Sequence, residues 1–295
     1  MARVGFIGTG NIGSPMAHQI LAAGHDLTVC DVDPGAARSL VDAGAAFEDS
    51  PADIAAGCEI VFTSLPGPAQ LDAVVSQLTA APHPKLVHVD LSTVSLSAAK
   101  RARDACNGAG VAFLDCPVSG GAVLAARGKL TVMASGPRDA FERAEPVLKA
   151  LGERIFFLGE ETGTGTLVKL INNAIFLCAG QLAQEGMVLA AKAGLDLAQL
   201  VETLKVSSSG MYLGMVPAAL SRDFESDGFA LALAEKDVGL ALETARELGV
   251  AMPVTEAGHG TYAAGVAEGR GAKLFTATLE ILEERAGITV PQTPR

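Results

Sequence analysis

Basic residues are in deficit. The chain carries 22 Lys and Arg against 33 Asp and Glu, a formal net charge of −11 with His neutral. The imbalance is even, with 12 basic and 17 acidic residues in 1–160 and 10 and 16 in 161–295. Without a basic face or tail to grip phosphates or anionic lipid, nucleic acid and membrane are not expected partners. Cysteine is scarce and odd in number: Cys30, Cys58, Cys106, Cys116 and Cys178 lie far apart, with no CxxC spacing. They read as free, buried thiols in a reducing cytoplasm, and no metal site is expected. Asp, Glu, Lys and Arg are absent from residues 4–25, but five glycines, Asn11, Pro15, His18, Gln19 and His25 interrupt that stretch, so neither a signal peptide nor a membrane anchor is expected there. No repeat of 20–50 residues and no low-complexity segment is evident.

What is present is an ordered globular composition, 49% hydrophobic with 33 Gly and 14 Pro in 295 residues, enough for about two domains. Short β-rich runs alternate with helix-length segments to about residue 160, the pattern of βαβ units and a largely parallel sheet. The expected strands are 4–7, 27–31, 60–65, 86–90, 111–114, 130–134 and 155–158. Ser50-Pro51-Ala52-Asp53 and Asp33-Pro34 are helix starts, each with a capping side chain and a Pro in the first turn. The segment 166–193 has no strong breaker. Beyond it Gly194, Gly210, Gly228, Gly249, Gly258 and Gly265 punctuate helix-length stretches such as 197–205, 229–248 and 272–286. The expected organisation is an α/β domain over 1–162, a long helix over 163–193 and an all-α domain over 194–295.

The first expected strand runs into Gly8-Thr9-Gly10-Asn11-Ile12-Gly13, and a helix over 14–23 follows. Gly8 serves a tight turn, Gly10 the close approach of a pyrophosphate, and Gly13 the packing of helix on strand. The helix N-terminus then faces the phosphates. A second strand ends in Asp31, 18 residues after Gly13, where a carboxylate can accept hydrogen bonds from ribose hydroxyls. Asp31 would repel a 2′-phosphate, and Val32-Asp33-Pro34 holds no Arg or Lys to receive one, so NAD is favoured over NADP. Ser64-Leu65-Pro66-Gly67 and Asp90-Leu91-Ser92-Thr93 follow two further strands and point to the same crevice.

Asp115-Cys116-Pro117-Val118-Ser119-Gly120-Gly121 reads as a glycine-rich loop whose backbone N–H groups suit a small carboxylate. Lys169 and Asn173, four apart on one helical face among Leu167, Leu170, Ile171, Ala174 and Ile175, form a polar pair in apolar surroundings. Desolvation there would lower the lysine's proton affinity and suit it to general acid–base work. A snorkelling lysine is the plainer alternative.

GTGNIGSPMA at 8–17, DLST at 90–93, DCPVSGG at 115–121, GTLVKLINN at 165–173 and FALALAEKD at 229–237 together resemble, in order and spacing, the β-hydroxyacid dehydrogenases. That family includes the 3-hydroxyisobutyrate dehydrogenases and tartronate semialdehyde reductases. The resemblance spans nearly the whole chain. It implies a Rossmann-type N-terminal domain, an all-helical C-terminal domain and an active site in the cleft between them. Lys169 then matches the catalytic lysine, Asn173 a substrate-positioning amide, Ser119, Gly120 and Gly121 the carboxylate-binding loop, and Thr93 and Lys236 cofactor-contacting residues; Leu65 and Pro66 are expected on the cofactor side from their place at a strand end. On residue type alone, the Lys236-Asp237 pair reads as a solvated helix face. Ser207 to Met215 departs from the family pattern and has no basic residue before Arg222, which favours a mono-acid. The expected reaction is oxidation of a small 3-hydroxy acid by NAD in a homodimer or homotetramer. Reduction of an aldehyde acid, an imine reductase and a non-catalytic dinucleotide-binding scaffold are the alternatives.

Overall fold

The structure, a computed structural model, describes residues 2–292. The chain forms two compact units that divide between Lys169 and Leu170.

The first unit runs β1 (Arg3–Ile7), α1 (Gly13–Ala22), β2 (Asp26–Cys30), a 3₁₀ turn (Pro34–Ala37), α2 (Arg38–Asp42), β3 (Ala46–Phe47), α3 (Pro51–Gly57), β4 (Ile60–Thr63), α4 (Pro68–Leu78), β5 (Val87–Asp90), α5 (Leu96–Gly108) and β6 (Ala112–Asp115). It continues with β7 (Val118–Ser119), α6 (Gly121–Ala125), β8 (Thr131–Ala134), α7 (Arg138–Leu151), β9 (Arg154–Phe157) and the opening turns of α8 (Thr164–Lys192). Six parallel strands in the order β3-β2-β1-β4-β5-β6 make the main sheet. Every residue of β4 and β5 is buried, as a sheet covered on both faces demands. The order reverses between β1 and β4, so the loops leaving those strands flank the crevice in which such sheets bind ligands. The uncharged stretch 4–25 is β1, its exit loop and α1. Ser50 caps α3 by accepting from the Asp53 N–H, and Asp33 accepts from the Gly35 N–H at the 3₁₀ turn.

One sheet was expected and two are found. β8 and β9 pair with each other in parallel, with β7 antiparallel on the other side of β8. β3 and β7 are two residues long, too short for alternation to reveal them. The sheets are tied where β6 ends, by reciprocal bonds between Asp115 and Ser135, N–H to carbonyl at 2.9 and 2.8 Å.

The second unit continues α8 and adds α9 (Leu197–Lys205), a 3₁₀ segment (Gly210–Met215), α10 (Val216–Leu220), α11 (Leu231–Glu247), α12 (Pro253–Ala267), a 3₁₀ turn (Phe275–Ala277) and α13 (Thr278–Ala286). It has no strand among the described residues. Its core gathers Leu177, Met187, Val216, Leu231, Val238, Tyr262 and Leu279, and the Tyr262 hydroxyl donates to the Leu177 carbonyl at 3.1 Å. Gly258 and Gly265 do not punctuate; both lie inside α12. A Cβ on Gly258 would come 2.8 Å from Cys178 Sγ, and one on Gly265 3.0 Å from Ile281 and Leu231, so these glycines serve close helix packing. The helix expected over 272–286 begins as the 3₁₀ turn and becomes α-helical only at Thr278.

α8 has 29 residues and by length and composition could cross a bilayer, but half of its apolar window is buried within the protein. The five cysteines are free thiols, and burial pushes Cys30 up to about 11 and Cys106 up to about 12.

Candidate active site

The glycine loop between β1 and α1 meets three different demands. Gly8 has φ +92°, and a Cβ there would collide with the Ser64 carbonyl oxygen; a Cβ on Gly13 would collide with the Gly8 carbonyl oxygen. Gly10 is different. It is exposed, and a Cβ on it would meet no protein atom within 4 Å. The protein itself does not require glycine there, which fits the close approach of a dinucleotide phosphate. Asn11 is exposed and Ile12 half-buried at the entry to α1. The Thr9 N–H and hydroxyl donate to Asp31 Oδ2 at 2.6 and 3.1 Å, and the Asp33 N–H donates to Asp31 Oδ1 at 3.0 Å. Asp31 therefore also anchors the phosphate loop. A carboxylate offers about four acceptor sites, so Oδ1 could also accept from a ribose hydroxyl.

At the next strand ends, Asp90 Oδ1 accepts from the Thr63 hydroxyl at 2.7 Å, the Ser92 hydroxyl at 2.6 Å and the Ser92 N–H at 3.2 Å. Ser92 Oγ accepts in turn from the Leu65 N–H at 2.9 Å. Leu65 and Pro66 are held in this way beside half-buried Thr93. Because the Thr63 proton goes to Asp90, His88 must donate from Nε2 to Thr63 Oγ1 at 2.9 Å. Burial lowers His88 to about 3, so the ring is neutral and stiffens the network without adding charge.

The segment expected as a plain loop is more ordered. Val118 and Ser119 pair with Val132 and Thr131, and Gly120 (φ +137°) and Gly121 (φ +68°) turn the chain into α6. Both glycines are exposed, with backbone conformations other residues rarely adopt. Ser119 is half-buried.

Asp115, at the head of this segment, is completely buried. Its Oδ2 accepts from the Thr166 N–H at 2.8 Å, the Gly163 N–H at 3.2 Å and the Ser135 hydroxyl at 3.1 Å, and its Oδ1 accepts from the Thr166 hydroxyl at 2.7 Å. Desolvation raises the carboxyl to about 6 against these hydrogen bonds, with neighbouring Asp90 adding to the rise. Lys169, one turn beyond Thr166, is 9% exposed.

In the second unit Asn173 is buried. Its Nδ2 donates to Asp237 Oδ2 at 2.7 Å, its Oδ1 accepts from Asn172 Nδ2 at 3.0 Å, and Lys236 Nζ lies 2.9 Å from Asp237 Oδ1. Lys236-Asp237 is therefore no solvated face. Asp237 is buried on the α11 stripe that carries Ala234 and Ala241, a spacing of three and four that marks it in the sequence. Asp115, Ser135 and Asp237, like Thr63 and His88, are polar residues to which the sequence pattern gave no role. The ends of β1, β2, β4, β5 and β6 bear the cofactor-loop and Ser119–Gly121 residues, while α8 and α11 bear Asn173 and Lys236.

Two predictions follow from this geometry. Gly13→Ala should lower the melting temperature and abolish dinucleotide binding, whereas Gly10→Ala should leave melting unchanged and weaken dinucleotide binding about tenfold or more, by calorimetric titration. For Asp115 the folded pKa lies above the ordinary 3.8, so its contribution to stability is present below that value and lost as pH rises through about 6. Asp115→Asn removes the titration, so denaturant unfolding should show it gaining on the parent by about 2 kcal/mol between pH 4 and 7.5.

Residues 3–159 match the family model described as the NAD-binding domain of 6-phosphogluconate dehydrogenase, and residues 163–282 that described as NAD-binding of NADP-dependent 3-hydroxyisobutyrate dehydrogenase. A 3-hydroxyisobutyrate dehydrogenase of Pseudomonas aeruginosa is 35% identical over 267 residues, covering 86% of this chain and 89% of the relative. A 3-sulfolactaldehyde reductase of Escherichia coli is 33% identical, with 98% of each chain covered. Among solved structures, a 3-hydroxyisobutyrate dehydrogenase of Mycobacterium tuberculosis with L-serine superposes with TM-score 0.87 at 28% identity, covering 96% of this chain and 99% of that one. With its Rossmann-type strand order and its dinucleotide loop, the chain belongs to the β-hydroxyacid dehydrogenase family, the NAD(P)-dependent oxidoreductases of small hydroxy acids.

Proposed function

We propose that the protein oxidises a small mono-acidic 3-hydroxy acid, of the 3-hydroxyisobutyrate kind, to its semialdehyde with NAD, using Lys169 as general acid–base. The observation that carries this reading is the buried Lys169 one turn beyond a helix start that Asp115 caps. Lys169 takes the proton from the substrate hydroxyl as the carbinol carbon loses hydride, and returns it in the reverse direction. The nicotinamide, when bound, supplies the hydride acceptor. Asn173, its amide oriented by Asp237 and Asn172, positions the substrate, and the N–H groups of Ser119, Gly120 and Gly121 receive its carboxylate.

NAD preference rests on Asp31, whose carboxylate would repel a 2′-phosphate, and on the following Val32-Asp33-Pro34, which holds no Arg or Lys to receive one. A mono-acid is favoured because Arg222, the first basic residue beyond 207–215, is engaged by both oxygens of Glu283 at 2.6 and 3.1 Å. Reduction of an aldehyde acid uses the same residues in reverse. A homodimer or homotetramer is supported by α8, where Val168, Ile175, Leu182 and Leu189 recur every seven residues and are all exposed.

The first test is nicotinamide absorbance with a panel of 3-hydroxy acids and their semialdehydes, each with NAD and NADP. Turnover should be fastest with a mono-acid and NAD; faster turnover of a semialdehyde would instead favour the reductase. Lys169→Ala should lower kcat about 10²–10⁴-fold while NAD still binds, and near-normal kcat would remove the lysine from the chemistry. Ile175→Glu combined with Leu182→Glu should reduce the mass measured by light scattering to that of one chain, and an unchanged mass would locate the interface elsewhere.

A further inference from the structure

The first N–H groups of any α-helix have no partner within the helix and are usually met by a local capping side chain. α8 lacks one, because the residue before Thr164 is Gly163, at φ +101°. The Thr164 N–H turns back to the Glu161 carbonyl at 3.3 Å, and the neighbouring donors are met from a distance. Asp115 Oδ2 takes the N–H groups of Gly163 and Thr166, and Ser135 Oγ takes that of Gly165 at 3.0 Å. The Thr166 hydroxyl closes on Asp115 Oδ1, and the Ser135 hydroxyl on Oδ2. Gly165 is pressed against the strand ends so closely that a Cβ would collide with the Met133 carbonyl oxygen and lie 2.9 Å from the Asp115 carbonyl oxygen.

We propose that Asp115 is a positioning residue for Lys169: its carboxylate, with Ser135, seats the first turn of α8 and thereby sets where the lysine one turn further on is held. A helix is a rigid element with fixed rise and rotation per residue. Acceptors that fix Gly163, Gly165 and Thr166 therefore fix both the height and the rotation at which residue 169 leaves the helix. Asp115 also heads the segment that reaches Ser119 four residues later. A single buried side chain thus references the proton-transfer group and the carboxylate loop to the same strand end. What the site needs from residue 115 is an acceptor at the Oδ2 position. An Asn side chain supplies this through its carbonyl oxygen, while its NH₂ can donate to the Thr166 hydroxyl.

This inference rests on the reading of Lys169 as general acid–base, and the test separates the two. Asp115→Ala, Asp115→Asn and Lys169→Ala are compared in the full chain for kcat, KM of the hydroxy acid, NAD dissociation constant and melting temperature. Asp115→Ala should lower kcat about 100-fold, as expected for a misplaced catalytic group, with KM and NAD affinity within about threefold of the parent; Asp115→Asn should recover most of that loss. A folded Asp115→Ala with undiminished kcat, an equal loss of NAD affinity, or no recovery in Asp115→Asn overturns the proposal. If Asp115→Ala does not fold, Thr166→Val replaces it, removing only the bond to Oδ1: a several-fold drop in kcat at unchanged NAD affinity supports the proposal and an unchanged kcat overturns it. Should Lys169→Ala stay active, the reading of Lys169 fails and this inference with it. Should Lys169→Ala be inactive while Asp115→Ala is unimpaired, only this inference fails.

Discussion

Burying the Asp115 carboxylate is the constraint on which the site depends. A charge in the interior is unfavourable unless hydrogen bonds satisfy it, and here four donors converge on it, three of them from the start of α8. The same residue closes the backbone bridge to Ser135 and ends β6. Main sheet, second sheet and long helix are joined at that one point. The desolvation that raises its pKa and the bonds that oppose the rise are two sides of the same burial.

A second tier of polar contacts repeats the device on a smaller scale. Asp31 ties the phosphate loop to the end of β2 through Thr9, and Asp90 gathers Thr63 and Ser92, which in turn holds Leu65. In the second unit Asp237 does the same for Asn173. In each case a carboxylate holds a neighbouring polar group or loop in a set orientation. The functional groups sit on short loops and helix turns, and buried acceptors provide the stiffness that such segments lack on their own.

Much of this was legible in the residues. The strand–GxGxxG–helix order and the acid after β2 are local signals, and the structure finds β1, the loop, α1 and Asp31 where they point. Ser50 capping was readable because the capping hydroxyl and the N–H that donates to it lie three residues apart. The second sheet was not, since β7 has two residues and nothing local distinguishes β8 and β9 from further members of the main sheet. Gly258 and Gly265 misled because a glycine's role inside a helix depends on the atoms packed against it.

The sequence alone determined the strand–loop–helix unit for a dinucleotide, the acidic residue after it, the helical second half and the spacing of Lys169 and Asn173 on one helix, because each depends on neighbours within a turn or a loop. Tertiary structure decided the roles of Asp115, Ser135 and Asp237 and the division into two sheets. Their partners lie 20, 51 and 64 positions away in the chain, and only the folded chain brings a buried acceptor to donors so distant.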